Sequence, residues 1–204
     1  MNARVFSLYW DNVDPSIVAG QKAVFDHFGI PVNQHRIDGL DHGEWIDWIM
    51  ARMDDVDVFL FIDIDCIPLS KHKLSEGVQK ATQGVLYGAE GAPNHIQPFR
   101  SYAAAWYVFI SRQHWRAARR PSARAMPYVD TCQQWTDMWH IHNFPVELVA
   151  PTVCIEAKWD LPGRPRSLGI GTTYGEDCFH LFEARQSNRQ YFLEKCGMIT
   201  GKVV

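Results

Sequence analysis

Val56-Asp57-Val58-Phe59-Leu60-Phe61-Ile62-Asp63-Ile64-Asp65 is the stretch on which the fold of this chain turns. Val56 to Ile62 is a near-continuous apolar run, and such a run suits a parallel strand covered on both faces. Aspartates at i and i+2 close it. In an open parallel α/β sheet, ligands bind outside the carboxyl ends of the strands, so Asp63 and Asp65 stand where a site is expected. Leaving a bent strand, the two carboxylates can point to one side and offer hard oxygen ligands to Mg²⁺ or Mn²⁺ bound jointly with a diphosphate. The competing reading is a pair of ordinary turn aspartates, since Asp is common where strands end.

Outward from this run, the pattern alternates strand and helix. Arg4 to Tyr9 is β-prone and ends in Trp10-Asp11-Asn12. Asp14-Pro15-Ser16 supplies a helix N-cap with Pro in the first turn, and that helix should run to Phe28 and stop at Gly29, with Ile17, Val18, Val24 and Phe28 inward. Pro31 to Ile37 reads as a second strand, and Asp41 opens a second helix with Trp45, Trp48, Ile49 and Met53 at helical spacing. The order β-α-β-α-β predicts a mixed, mostly parallel sheet flanked by helices. Downstream, a helix is expected over Ser70 to Thr82 and a strand over Gly84 to Gly88. A loop from Ala89 to Arg100, with Gly91, Pro93 and Pro98, leads to a strand over Ala103 to Ser111. Helices follow over Arg112 to Arg120 and Val129 to His142, then a strand over Val146 to Val149. Pro151 to Thr173 reads as site-bearing loops and Cys178 to Lys195 as a short final helix.

The 204 residues fit one domain, with 1–88 and 89–204 as its two halves. Hydrophobic residues make up 47% and charged residues 21%, a globular composition rather than a disordered one. With a formal charge of −3 the molecule has no general attraction for polyanions, so any such contact must come from a local patch. The five cysteines include no CxxC pair and indicate neither a zinc cage nor a disulfide framework. With no signal-like start and no membrane-length apolar run, a reduced, cytoplasmic protein without a membrane contact is expected. Eight Trp and seven Tyr suit core packing or platforms that stack on a base or a sugar.

The segment V-D-V-F-L-F-I-D-I-D-C-I-P-L resembles the DxD region of GT-A glycosyltransferases, in which an apolar strand ends in Asp-x-Asp, often with Pro soon after. The resemblance extends to the first strand and its loop and to a late histidine, here His180 in G-E-D-C-F-H. It implies a GT-A domain that binds Mn²⁺ or Mg²⁺ and a UDP-sugar, with glucose as the default sugar. By the same resemblance Asp65 would ligate the metal, Asp63 would share between metal and ribose, His180 would complete the metal site, and Tyr9, Trp10 and Asp11 would line the base pocket. His180 also has a plain reading as a hydrogen-bonded helical histidine. From the residues themselves, imidazole is a good Mn²⁺ ligand, and the loop from Gly169 to Asp177 can bring backbone donors near phosphate.

An inverting transferase needs a carboxylate base for the acceptor hydroxyl. Asp130 in V-D-T-C-Q-Q-W is the first candidate, against a plain role as an N-cap, and Asp177 and Glu176 follow it. Arg112, Arg116, Arg119, Arg120 and Arg124 fall within thirteen residues, and the first four could form a helical stripe that meets phosphates of an acceptor. That suggests a polyanionic acceptor such as DNA carrying a hydroxylated base, and small soluble phage transferases that decorate such bases resemble this chain in size; a protein, glycan or small-molecule acceptor stays open beside it. The competing reading is a solvated face paired with nearby acids. A haloacid-dehalogenase-like phosphatase, with D-x-D-x-[TV] and a later acidic pair such as Glu176-Asp177, is the rival class. Ile67 stands where that motif has Thr or Val, and two βα units precede Asp63. A non-catalytic sugar-nucleotide-binding module is a third reading.

Overall fold

Alternation explains why the decisive run carries almost no polar residue. In the computed structural model, which describes residues 1–93, 96, 99–184 and 188–202, β3 (Val58–Ile62) has every side chain buried. Phe59 and Phe61 feed one apolar cluster, while Val58, Leu60 and Ile62 feed another on the opposite face. Successive strand residues point to opposite faces, so a strand covered on both needs apolar residues throughout.

The N-terminal half follows the expected order. β1 (Ala3–Tyr9), α1 (Pro15–Phe28), β2 (Val32–Arg36) and α2 (His42–Arg52) precede β3. Asp14 caps α1, its Oδ1 accepting from Ser16 N at 2.9 Å, and Gly29 ends the helix in the left-handed region at φ 67°. After β3 come α3 (Lys71–Thr82), β5 (Leu86–Gly91), β6 (Tyr102–Ser111), α4 (Arg112–Ala117), α5 (Gln133–Ile141) and β7 (Val146–Val149). The main sheet has the order β2-β1-β3-β6-β5-β7, and β6 alone runs against its neighbours. Residues of α2, α4 and α5 fill the cluster on one face, those of α1 and α3 the cluster on the other.

A second sheet is fully antiparallel, in the order β4-β10-β9-β8, from β4 (Cys66–Pro68), β10 (Cys178–Leu181), β9 (Arg164–Tyr174) and β8 (Val153–Leu161). α6 (Arg189–Thr200) packs on α1 through Phe192 and Cys196, which close on Gly20. The aromatic load is largely core. Trp45, Trp135 and Trp139 are fully buried, and Trp115 and Trp135 both donate to Pro121 O at 3.0 Å. No helix among the described residues is long and apolar enough to cross a membrane.

Several expected elements differ. Residues 151–173 are not loops but most of the β8–β9 hairpin; β8 is mostly exposed and the start of β9 likewise, so polar residues interrupt the apolar pattern there, and Gly163 (φ 71°) makes the turn. The helix expected over 178–195 is instead β10, a turn, and α6 from Arg189; residues 185–187 lie outside the described residues. The basic helix stops at Ala117, and Arg119 and Arg120 have φ of 67° and 55°. Arg120 precedes Pro121, whose ring pushes the residue before it out of the helical region. α5 starts only at Gln133, with Cys132 in the left-handed region, so Asp130 is not its N-cap. On α2, Trp48 is exposed while Ile46 and Met50 are buried in its place. Of the loop over 89–100, positions 94, 95, 97 and 98 (Pro98 among them) lie outside the described residues.

Candidate functional site

The aspartate pair occupies the step between the two sheets. Asp63 N donates to Trp106 O at 3.2 Å, extending the β3–β6 pairing by one residue, and the chain then turns, with Cys66 N donating to Asp63 O at 3.0 Å. Gln21 of α1, with no exposed surface, braces that turn. Its Nε2 donates to Asp63 O at 2.7 Å and to Cys66 O at 2.8 Å, while its own Oε1 accepts from Gln34 at 3.0 Å. The turn's backbone is therefore satisfied from within.

β10 brings the late histidine to the same place. His180 stands opposite Cys66 in the β10–β4 register, and Leu181 N donates to Asp65 O at 2.9 Å. His180 Nε2 then lies 3.3 Å from Asp65 Oδ1 and 3.7 Å from Asp63 Oδ2. One ligand atom from each of Asp63, Asp65 and His180 falls within 4.8 Å of the others. The imidazole is held by rings: Trp106 stacks on it at 5.2 Å and 19°, and Phe182 lies 4.0 Å away. Two carboxylates and an imidazole, half-buried and buried, form a donor set suited to a divalent cation.

Beside the cluster a cleft of about 110 Å³ is lined by Tyr9, Trp10, His42, Asp63, Ile64 and Asp65, among others. Trp10 is oriented by its indole N–H, which donates to Leu40 O at 3.1 Å. Asp11 lies just outside, in an adjoining depression shared with Tyr9, Trp10 and Arg36, and its N–H donates to Asp38 Oδ1 at 2.7 Å. His42, Gln21, Trp106 and Phe182 had no place in the sequence reading. For His42 the available signal was Asp41, whose side chain caps α2 and so fixes the helix start.

Other candidates lie elsewhere. The Asp177 side chain is buried and accepts from Tyr87 OH at 2.6 Å, and burial raises its pKa above the usual carboxylate range. Neither it nor the exposed Glu176 beside it lines the cleft, so the phosphatase reading gains no second carboxylate there. Asp130 is half-buried, accepting from Tyr102 OH at 2.9 Å and from Thr131 N at 2.8 Å. The arginines stand at the far end of the sheet. Ser111 pairs with Val58, so α4 begins five residues of strand from Asp63, roughly 16 Å away. Arg112 is 6% exposed and spends its guanidinium on Val56 O (2.9 Å), Met50 O (2.8 Å) and Met53 O. Arg116 pairs with Asp54 at 3.1 Å, and Arg120 lies over the Trp115 ring. With Arg119 and Arg120 out of the helix, no common arginine stripe forms.

A mostly parallel sheet with one reversed strand, a second antiparallel sheet, and an Asp-x-Asp turn joining them define the GT-A fold of nucleotide-sugar glycosyltransferases. Solved structures agree. Drosophila β1,4-galactosyltransferase 7, in a complex with manganese, UDP-Gal and xylobiose, aligns at 14% identity over 94% of this chain and 73% of its own, with a TM-score of 0.54. A glycosyltransferase involved in glycosylation of the major capsid of PBCV-1 aligns at 13% identity over 99% of this chain and 100% of its own, with a TM-score of 0.50. In its xylobiose complex the Drosophila catalytic domain aligns at 12% identity and a TM-score of 0.49 over 72% of this chain, which spans 64% of that domain. No protein-family model matches the chain, and no curated protein matches it in sequence.

Proposed function

We propose that this chain is a metal-dependent glycosyltransferase that moves a sugar from a UDP-sugar to an acceptor hydroxyl. The observation that carries this reading is the convergence of Asp63, Asp65 and His180, from two sheets, at the edge of a cleft walled by Tyr9 and Trp10. Asp63, Asp65 and His180 would hold Mn²⁺ or Mg²⁺, and a cation there offsets the charge that develops on the leaving diphosphate. The imidazole in the set favours Mn²⁺ over Mg²⁺, which prefers oxygen ligands and retained water. Manganese and UDP-Gal in the Drosophila complex support the same donor class and metal.

The chain's own groups then have distinct tasks. Tyr9 and Trp10 take the base, and Asp63, between them and Asp65, reaches both the ribose side and the metal side. Asp130 is the carboxylate we assign to the acceptor hydroxyl's proton: its partner Tyr102 opens β6, four residues beyond the Trp106 that meets Asp63 and on the side away from the arginines. Asp177 is not assigned that task, because its carboxylate is closed in against Tyr87. A DNA acceptor loses the observation that suggested it, since the arginine run forms no stripe and stands at the opposite end of β3 and β6.

Calorimetry with UDP, GDP, CMP and UDP-glucose, with and without Mn²⁺, tests the reading. UDP binding should require Mn²⁺ and should weaken in Asp65→Ala by more than the 10- to 100-fold that losing a mere supporting hydrogen bond costs, so by over about 100-fold. Slow hydrolysis of the bound UDP-sugar would separate an enzyme from a binding module. Absence of any nucleotide binding, with cleavage of a generic phosphate ester instead, would sink the proposal.

A further inference from the structure

Asp63 divides its two carboxylate oxygens between two histidines. Oδ2 faces His180 Nε2 at 3.7 Å, and Oδ1 faces His42 Nε2 at 3.4 Å. That second distance is slightly beyond an ordinary hydrogen bond. His42 Nε2 is nevertheless buried and makes no hydrogen bond among the described residues. A buried ring nitrogen without a partner is costly, and Asp63 Oδ1 is the acceptor within reach.

The imidazole is not brought there by a loose loop. His42 is the first residue of α2, whose start is fixed by Asp41 Oδ1 accepting from Glu44 N at 3.0 Å. Gly43 presses the first turn onto a neighbouring segment, because a Cβ there would stand 2.6 Å from Ala123 O and from Arg124 Cα. The His42 ring leans on Trp45 at 5.8 Å and 32°. Trp45 is itself fully buried and donates from Nε1 to His35 Nδ1 at 3.1 Å. Cap, close backbone contact and indole together aim Nε2 at Asp63.

We propose that His42 is a positioning residue for the metal-binding carboxylate, its Nε2–H donating to Asp63 Oδ1 so that Oδ2 stays turned toward Asp65 and His180. The inference rests on the metal-binding reading above. It gives the two histidines opposite duties on one side chain: His42 carries its proton on Nε2, while His180 offers a lone pair from its own Nε2. Groups that hold a ligating side chain by a hydrogen bond are worth about 10- to 100-fold in metal affinity.

The test is a Mn²⁺ titration by calorimetry, with and without UDP, on wild type, His42→Ala, His42→Asn and His42→Gln, with Asp65→Ala marking loss of the site. Melting temperatures of the metal-free proteins are read alongside. His42→Ala should raise the Mn²⁺ dissociation constant about 10-fold or more while its metal-free melting temperature holds. An amide variant, which keeps an N–H donor, should recover part of the affinity. Wild-type affinity in His42→Ala would overturn the inference alone. So would a lowered metal-free melting temperature with no recovery by either amide, which would mark a packing role. Wild-type protein that takes no Mn²⁺ in either condition overturns the metal-binding reading, and this inference with it.

Discussion

Replacing Arg112 by Met separates two uses of the arginine run. Met keeps an apolar stem over the Phe59 ring, on which the guanidinium lies at 5.0 Å, and removes only the charge and its donors. Those donors hold Val56 O, Met50 O and Met53 O, and the last two are carbonyls from the end of α2 and its C-cap residue. Arg112 therefore closes the C-terminus of α2, where a cation also meets the negative end of the helix dipole. At 6% exposure, water has little room to replace the guanidinium. Charge-assisted bonds contribute about 1.5 to 3 kcal/mol each, and orphaned acceptors add a penalty, but Met burial offsets part of it; a net loss of about 3 to 4 kcal/mol is expected. For a chain of this length each kcal/mol moves the melting temperature by about 2 to 4 °C, so the midpoint should fall by about 6 to 16 °C. Arg116→Ala is the control. Its partner Asp54 is 76% exposed, and such surface pairs are worth under about 1 kcal/mol. Thermal melts combined with gel shifts on duplex DNA at low and high salt read out both roles. If Arg112→Met melts with wild type while DNA binding falls selectively, the helix-closing argument is wrong and the acceptor stripe is restored.

Two further outcomes follow from buried titratable groups. Burial lowers the pKa of His35 and of His114 from the usual 6.5, and His35 Nδ1 must stay unprotonated to accept from Trp45. The unfolded chain thus binds these protons more readily, so their contribution is intact above about 6.5 and is lost as pH falls through the lower folded values. The melting temperature should drop between about pH 8 and pH 5, less so in His35→Asn; a flat profile would refute this. Asp177 has the opposite sign, since burial raises its pKa above 3.8. Its stabilising contribution exists at low pH and is lost as pH rises through the folded value. Asp177→Asn keeps an acceptor for Tyr87 and should melt no lower than wild type at neutral pH, with sugar transfer retained. A large fall in kcat at unchanged melting temperature would make Asp177 a catalytic carboxylate.

What was legible in the sequence is what local chemistry decides. The β3 run, the Asp14 cap and the stop at Gly29 each depend on a few neighbouring residues, and each stands where expected. Asp63 and Asp65 belong to this group, because a strand end and its side chains are defined within one turn. The end of α4 also belonged to it and was misread: four-residue spacing of arginines implies a stripe only if the helix continues, and Pro121 forbids Arg120 from continuing it.

The second sheet was illegible for a different reason. β4 takes its partner from far along the chain, more than a hundred residues away in β10, and Cys178–Leu181 is too short for periodicity to tell strand from helix. The family pattern picked out His180, but its residues alone read equally well as a helical turn. Only the strand reading delivers the imidazole, because antiparallel pairing places His180 opposite Cys66, one residue past Asp65. A slip of one residue in that pairing would turn the ring to the other face of the sheet, away from both carboxylates. The Asp63, Asp65 and His180 cluster is thus specified by a register, and that register is held where Leu181 N meets Asp65 O and where Leu69 N meets Asp177 O. Asp177 therefore matters to the site through its backbone carbonyl, which a side-chain substitution leaves in place.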